Sequence, residues 1–383
     1  MHSSNRWRTF FGLFFLLSAF LTQSNLANAE NTRLDLAQLK APTGFHISVF
    51  AQEIDGPRMM VFTPGGVLLV SESGEGRVKA LPDPKHSGKS AQPVTVLEGL
   101  NEPHGLAFYD GKLYVAENDK LRRYDWDETK LRASNPKKLT DLPGGGGHST
   151  RTVVFHGGKM YVSAGSSCNA CVEKDQRRGA VMEFNPDGTG QKIFAKGLRN
   201  AVGLAVNPKT DTVWATVNGR DMSGDDLPPE VIVDLGKNGG DFGWPYCYGD
   251  HVPDPNFTKA GDNRCQNVIG PKVQMQAHSA PLGLAFYERS EFPAEYQNSI
   301  FVAFHGSWNR SIPTGYKIVR VKLDDHGQPQ TGAEDFITGW LAPGEKKHGR
   351  WMGRPVGIVF GGDGAMYVSD DAAGVIYRVT YGK

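Results

Sequence analysis

Six copies of one short phrase run along this chain, and that repetition limits the folds open to it. Each copy has a polar residue or glycine, an apolar run ending near phenylalanine, a turn, and a β-rich pair such as Tyr-Val. The copies begin at Pro57 (PRMMVF…GGVLLV), Pro103 (PHGLAF…GKLYV), Thr150 (TRTVVF…GKMYV), Asn200 (NAVGLAV…DTVWAT), Pro281 (PLGLAF…SIFVAF) and Arg354 (RPVGIVF…GAMYV). A phrase recurring at intervals of roughly 50 residues marks supersecondary units that cannot bury their apolar faces alone. Each unit reads as short strands joined by a glycine-containing hairpin. The expected fold is therefore all-β, a six-bladed β-propeller with four-stranded antiparallel blades. Propeller logic predicts that the ring closes by pairing a strand near Phe45–Phe50 with one near Val375–Val379.

The first residues follow a different rule. Arg6 and Arg8 precede an apolar stretch from Phe10 to Leu21, and Ala27, Asn28 and Ala29 give the small-x-small pattern of a signal-peptidase site. Residues 1–29 are read as a signal peptide cleaved before Glu30, and 30–383 as one propeller domain. The apolar stretch is short for a membrane span, so no stable membrane insertion is expected and the mature chain is placed in the periplasm or outside the cell. Losing the leader removes two arginines and no acid, which takes the net charge from +1 to −1. Nucleic-acid binding needs a clustered basic excess, and this balance argues against it.

Four cysteines in an exported chain point to disulfides. The preferred pairing is local: Cys168 with Cys171 in SSCNAC, and Cys247 with Cys265 across a Gly/Asp/Asn/Pro-rich loop. Haem attachment needs His after the second cysteine, and Val172 stands there. Two long segments, Asp221–Ala280 and Asp324–Gly349, interrupt the repeat spacing. Long insertions in a compact ring are more often functional than idle.

Equivalent positions of a propeller converge on one channel, so matched polar residues are the candidates for chemistry. Shortly before the apolar run stand His148 in the third copy, Arg199 and Asn200 in the fourth, His278 in the fifth and Arg354 in the sixth. The bland reading is a wet channel with a polar lining. His148, however, follows the glycine run Gly144–Gly147, which permits close backbone approach to a ligand at an entropic cost. A neutral imidazole there suits proton abstraction. His104 and His278 read as channel lining. The stretch from Asn218 to Glu230 gathers Asp221, Asp225, Asp226 and Glu230, which suits either Ca²⁺ or simple turn formation.

Taken together, GGGGHSTR (144–151), GLRNAVGLAV (197–206), NGRD…DD…E (218–230), GGDFGWP (239–245), HGSWNR (305–310) and GRPVGI (353–358) resemble the glucose/sorbosone dehydrogenase family across essentially the whole mature chain. SSCNAC and HGSWNR look more like its sorbosone or pyranose dehydrogenase branch. The resemblance implies a soluble propeller that uses pyrroloquinoline quinone (PQQ) and Ca²⁺ to oxidise a sugar, and hands electrons to a separate acceptor such as a quinone or cytochrome. It implies that His148 is the general base and that Arg199 and Asn200 lie beside the quinone oxygens. The carbonyls of Gly219 and Arg220 match the calcium-holding positions, and Arg354 matches an arginine that grips a cofactor carboxylate. The chain departs from the pattern in two places. Met352 occupies the position of a second arginine, for which Arg350 is the nearby substitute. A family lysine is absent, leaving His305 or Arg310 to replace it.

Two other functions fit a six-bladed ring: a calcium-dependent lactonase and a non-catalytic binding module. A lactonase holds its metal through inward carboxylates and amides. The inward positions here favour Arg and His, which repel a bare cation and suit an anionic cofactor.

Overall fold

The computed structural model describes residues 34–382. The expected leader and its cleavage site lie outside the described residues. Among the described residues no helix is long and apolar enough to cross a membrane.

The six phrases form the two inner strands of six antiparallel sheets, arranged as blades around a channel. The innermost strands are Pro57–Phe62, Gly105–Tyr109, Val153–His156, Ala201–Asn207, Pro281–Tyr287 and Pro355–Phe360. Blade six takes its outer strand from the start of the chain. Phe45–Gln52 pairs antiparallel with Val375–Tyr381, which closes the ring as expected. Blade three gains a short parallel fifth strand, Gly240–Asp241. Of the two long segments, the first supplies the outer strands of blade four, Glu230–Asp234 and Val273–Met275, with an insertion between them. The second supplies Glu334–Ile337 of blade five.

The second strand of the blades shows no alternation of buried and exposed positions. Leu68–Glu72, Thr212–Val217, Ser299–Phe304 and Met366–Asp370 are buried at every position. Each such strand lies between two neighbouring blades, so both of its faces are covered. The core is accordingly divided into six apolar layers, one per blade interface. A seventh group, Met59, Val202, Leu282 and Val356, comes from four innermost strands and plugs the middle of the channel.

The innermost strands approach one another closely, which explains the glycine of the phrase. A Cβ on Gly283 would lie 2.7 Å from the Val356 carbonyl, and one on Gly357 would lie 2.8 Å from that of Arg58. Hydroxyls bridge the blades at the same level. Ser71 donates to the His104 carbonyl, Thr152 to Val202, Thr216 to Leu282 and Ser369 to Arg58. These bonds satisfy carbonyls that no strand ladder reaches. Below the plug, a cavity of about 620 Å³ opens among Met60, Leu106, Val154, Val206, Phe286 and Phe360. Above it lie the starts of the innermost strands and the ends of the second strands, and the candidate residues gather there.

Candidate active site

His148 sits five residues before Val153, above blade three. Its Nδ1 lies 2.9 Å from the Ser166 carbonyl and 2.9 Å from Ser166 Oγ. The hydroxyl donates to the Cys168 carbonyl at 2.6 Å, so the imidazole proton belongs on Nδ1 and points at the Ser166 carbonyl. That tautomer leaves the Nε2 lone pair as the proton acceptor. Burial, with Arg199 and then Arg151 and Arg178 nearby, lowers the His148 pKa to about 4. The ring is neutral at neutral pH.

The glycine run before it is gripped by two arginines. Arg178 Nη2 donates to the carbonyls of Pro143, Gly144 and Gly145, and Arg151 donates to Pro143 and to His148 itself. Gly146 has φ +87° and packs where a Cβ would stand 2.9 Å from Ser167 Cα. The run therefore lets the His148 segment lie against the segment that supports its ring. Neither arginine was singled out by sequence reasoning, since no local pattern links Arg178 to His148.

Arg199 and Asn200 directly precede the innermost strand of blade four. The Arg199 side chain is only 5% exposed. It donates to the Asn169 carbonyl at 2.7 Å, to Asn169 Oδ1 at 2.8 Å and to Asp221 at 3.0 Å. Asn200 donates to Asn218 Oδ1, while its own Oδ1 is buried without a partner. His148 and Asn200 converge on Gly165, where an added Cβ would meet both. A buried orphan acceptor beside a neutral base is a costly arrangement that a ligand N–H or O–H would relieve.

Gly219 and Arg220 follow the second strand of blade four. The Gly219 N–H donates to Glu230 at 2.6 Å, and the Arg220 side chain turns away to Asp254 at 2.6 Å. Their carbonyls accept no hydrogen bond from the described residues, so both remain available to a cation. Burial raises the Glu230 pKa to about 7 against the pull of two backbone N–H groups and Arg199.

On the opposite side, Arg354 donates to the carbonyls of His305 and Gly306 at 3.1 and 3.0 Å. His305 Nε2 meets Asp371 at 2.9 Å, and Asp371 also pairs with Arg58. Burial disfavours the Asp371 carboxylate, but His305, Arg58 and Arg354 outweigh it and hold its pKa well below the usual range. Of the two substitutes for the missing lysine, His305 belongs to this group. Arg310 instead binds Asp225 and Asp226 on an outer loop. Arg350 is exposed and pairs with no side chain among the described residues. His104 is 1% exposed and packs between blades, so it does not line open channel. His278 donates to the Gly224 carbonyl and tethers the loop after Arg220.

Arg58 and Asp371 were not identified from the sequence. Arg58 stands inside the first copy of the phrase, at the level of Val356 in the sixth, so the register that marks Arg199 and Arg354 does not mark it. Both cysteine pairs are joined as expected, Cys168 to Cys171 and Cys247 to Cys265.

The model of the TrAA12-like family matches residues 39–382. The chain belongs to that family. Over 96% of its length it is 30% identical to an uncharacterised protein of Borreliella burgdorferi, covering 97% of that protein. It is 25% identical, over 89% of its length, to a PQQ-dependent pyranose dehydrogenase of Coprinopsis cinerea, but spans only 54% of that longer protein. It is 24% identical to a PQQ-dependent sugar dehydrogenase of Hypocrea jecorina, with 94% of this chain and 95% of the other aligned. Among solved structures, a Trichoderma reesei member of carbohydrate-active enzyme family AA12 superposes with a TM-score of 0.79 at 24% identity, covering 90% of this chain and 97% of that one. The holo PQQ domain of the Coprinopsis cinerea pyranose dehydrogenase gives 0.77 at 23% identity, over 89% and 97%. These superpositions agree with the six-bladed ring, and the family agrees with the resemblance read from the motifs.

Proposed function

We propose that this protein is an exported PQQ-dependent dehydrogenase that oxidises a sugar or sugar aldehyde and passes the electrons to a separate quinone or cytochrome. One observation carries the reading. A neutral, half-buried histidine with an open Nε2 shares a channel mouth with an orphan amide oxygen and with Arg199, Arg58 and Arg354. The residues fit an anionic, polar cofactor, because PQQ bears three carboxylates and arginine is the side chain best shaped to pair with them. Asn200 Oδ1 offers the acceptor such a ligand needs, and the open carbonyls of Gly219 and Arg220 suit Ca²⁺.

When bound, calcium-loaded PQQ supplies a two-electron acceptor for hydride. The protein's own part is positional and acid–base. His148 Nε2 removes the proton of the sugar hydroxyl, and the Ser166 carbonyl holds the ring in the tautomer this requires. Arg199 stabilises negative charge beside the acceptor. Arg354, braced by two carbonyls, and Arg58 and His305, shared on Asp371, fix the far side. Two disulfides suit an oxidising compartment, which supports export.

A lactonase cage draws no support from this site. Among the described residues, the one group of three side chains with metal-ligand spacing is Cys168, Cys171 and Glu173, and its cysteines are bonded to each other.

The test is reconstitution. Purified protein titrated with PQQ and Ca²⁺ is expected to bind the cofactor saturably and to reduce a dye when an aldose, pyranose or sorbosone is added. A folded protein that binds no PQQ in the presence of calcium would overturn the reading.

A further inference from the structure

We propose that Asn169 is a positioning residue, held in the Cys168–Cys171 ring, that fixes the Arg199 guanidinium and the start of the 221–228 loop in a single arrangement. The proposal rests on the cofactor reading of Arg199 given above. It adds a residue and a covalent device that the resemblance does not assign.

Asn169 spends every polar group but its N–H on this junction. Its carbonyl accepts from Arg199 Nε at 2.7 Å, and its Oδ1 accepts from Arg199 Nη2 at 2.8 Å. The same Oδ1 accepts from the Asp221 N–H at 2.8 Å, and its Nδ2 donates to the Asp221 carbonyl at 3.1 Å. Asp221 closes the triangle through its own carboxylate on Arg199 at 3.0 Å. A long, flexible side chain such as arginine loses rotamer freedom on being fixed, and here a forked set of acceptors on one residue fixes it.

The disulfide explains how a loop residue can serve as that anchor. Cys168 and Cys171 bracket Asn169 and Ala170 in a closed ring. The ring is pinned at its base by the bond from Ser166 Oγ to the Cys168 carbonyl. Ser167 pins it further by donating from its N–H and its hydroxyl to Glu173. Ser166 supports the imidazole of His148 and Asn169 supports the guanidinium of Arg199, so one cyclised segment sets the base and the cation together. Ring closure removes alternative conformations of the segment before any ligand arrives, which is preorganisation.

Three variants test this: Asn169→Ala, Asn169→Asp and the double variant Cys168→Ser/Cys171→Ser. Hydrogen exchange of the Asp221 amide, which donates directly to Asn169, reports the junction without any cofactor. PQQ titration reports its effect on Arg199. Asn169→Ala and the double cysteine variant are expected to speed Asp221 exchange and to weaken PQQ binding about tenfold or more, since hydrogen bonds to a charged group are lost. Asn169→Asp keeps the acceptor bonds to Arg199 but sets a carboxylate oxygen against the Asp221 carbonyl in place of the Nδ2 donor, so its PQQ affinity should fall between those of the parent and Asn169→Ala. Faster exchange with unchanged PQQ affinity would overturn the positioning role, and unchanged exchange would overturn the junction itself. Failure of the parent protein to bind PQQ would instead strike the proposed function, leaving the Asp221 amide to decide the junction alone.

Discussion

His305 donates its Nε2–H to the Asp371 carboxylate at 2.9 Å, although 66 residues separate the two. The contact joins the ends of the second strands of blades five and six. Arg58 reaches the same carboxylate from blade one, and Arg354 braces the His305 backbone. Only Arg58 pairs with this carboxylate, while the Arg354 guanidinium meets the carbonyls of His305 and Gly306 and no carboxylate among the described residues, so it can still pair with an anion.

Arg354→Ala should weaken PQQ binding at least tenfold while leaving turnover at saturating cofactor within a few-fold of the parent. Arg354→Lys keeps the charge but cannot donate to two carbonyls at once, so its affinity should fall between the two. Equilibrium titration with PQQ, followed by a rate measurement at saturation, separates the two effects.

His148→Ala should do the reverse, lowering kcat by about 10²–10⁴-fold with little change in PQQ affinity. The parent's rate should also depend on pH through this ring. The base works only when neutral, and burial lowers its pKa to about 4. Activity should therefore persist through mildly acidic pH and fall as pH drops through about 4. A pH–rate profile of the parent, compared with that of His148→Ala, checks the assignment.

Stability should fall over a related window. His148 and His104 have pKa values lowered to about 4 and about 3, in both cases chiefly by burial. Between these values and the ordinary histidine value near 6.5, the unfolded chain binds more protons than the folded one. The stability owed to the two neutral rings is complete above about 6.5 and declines as pH falls towards 4. Glu230, whose pKa burial raises to about 7, works in the opposite direction over part of this window, so the check is the difference: melting temperature should fall less steeply with acid in His104→Gln than in the parent.

Gly283→Ala places a methyl group 2.7 Å from the Val356 carbonyl. Replacing a glycine ordinarily stabilises by about 0.4–1 kcal/mol through the unfolded state. Overpacking between two innermost strands costs about 1–3 kcal/mol and should win. A lower denaturant midpoint with an unchanged slope is the expected result.

The ring was legible because its unit is local. Each hairpin carries its own apolar run, glycine and turn, so six copies announce six blades. His148, Arg199, Asn200 and Arg354 were legible for the same reason, each standing shortly before the apolar run of its copy. Arg58 lies inside its innermost strand rather than before it, and reads as an ordinary polar position in an apolar phrase. Asp371 was hidden because its partners, Arg58 and His305, come from other blades and no periodic signal connects them. The glycine run was read as an approach to ligand. In the structure it also lets the His148 segment lie against Ser166 and Ser167, a fact that depends on Arg178 about 30 residues further on. Arg310 illustrates the limit of motif transfer, since membership of HGSWNR did not decide which of its residues would reach Arg354.

The strand that closes the ring gives the molecule a clasp. Phe45–Gln52, which precedes all six copies of the phrase, is held by Val375–Tyr381, which follows the sixth. Asp371 and Arg354 belong to that same final blade, while Arg58 waits on the first. The Arg58–Asp371 pair thus forms only when the first and sixth blades have met, and a chain that stopped short of the sixth blade would lack it. Fraying at the outer edge of blade six would loosen that ion pair from behind.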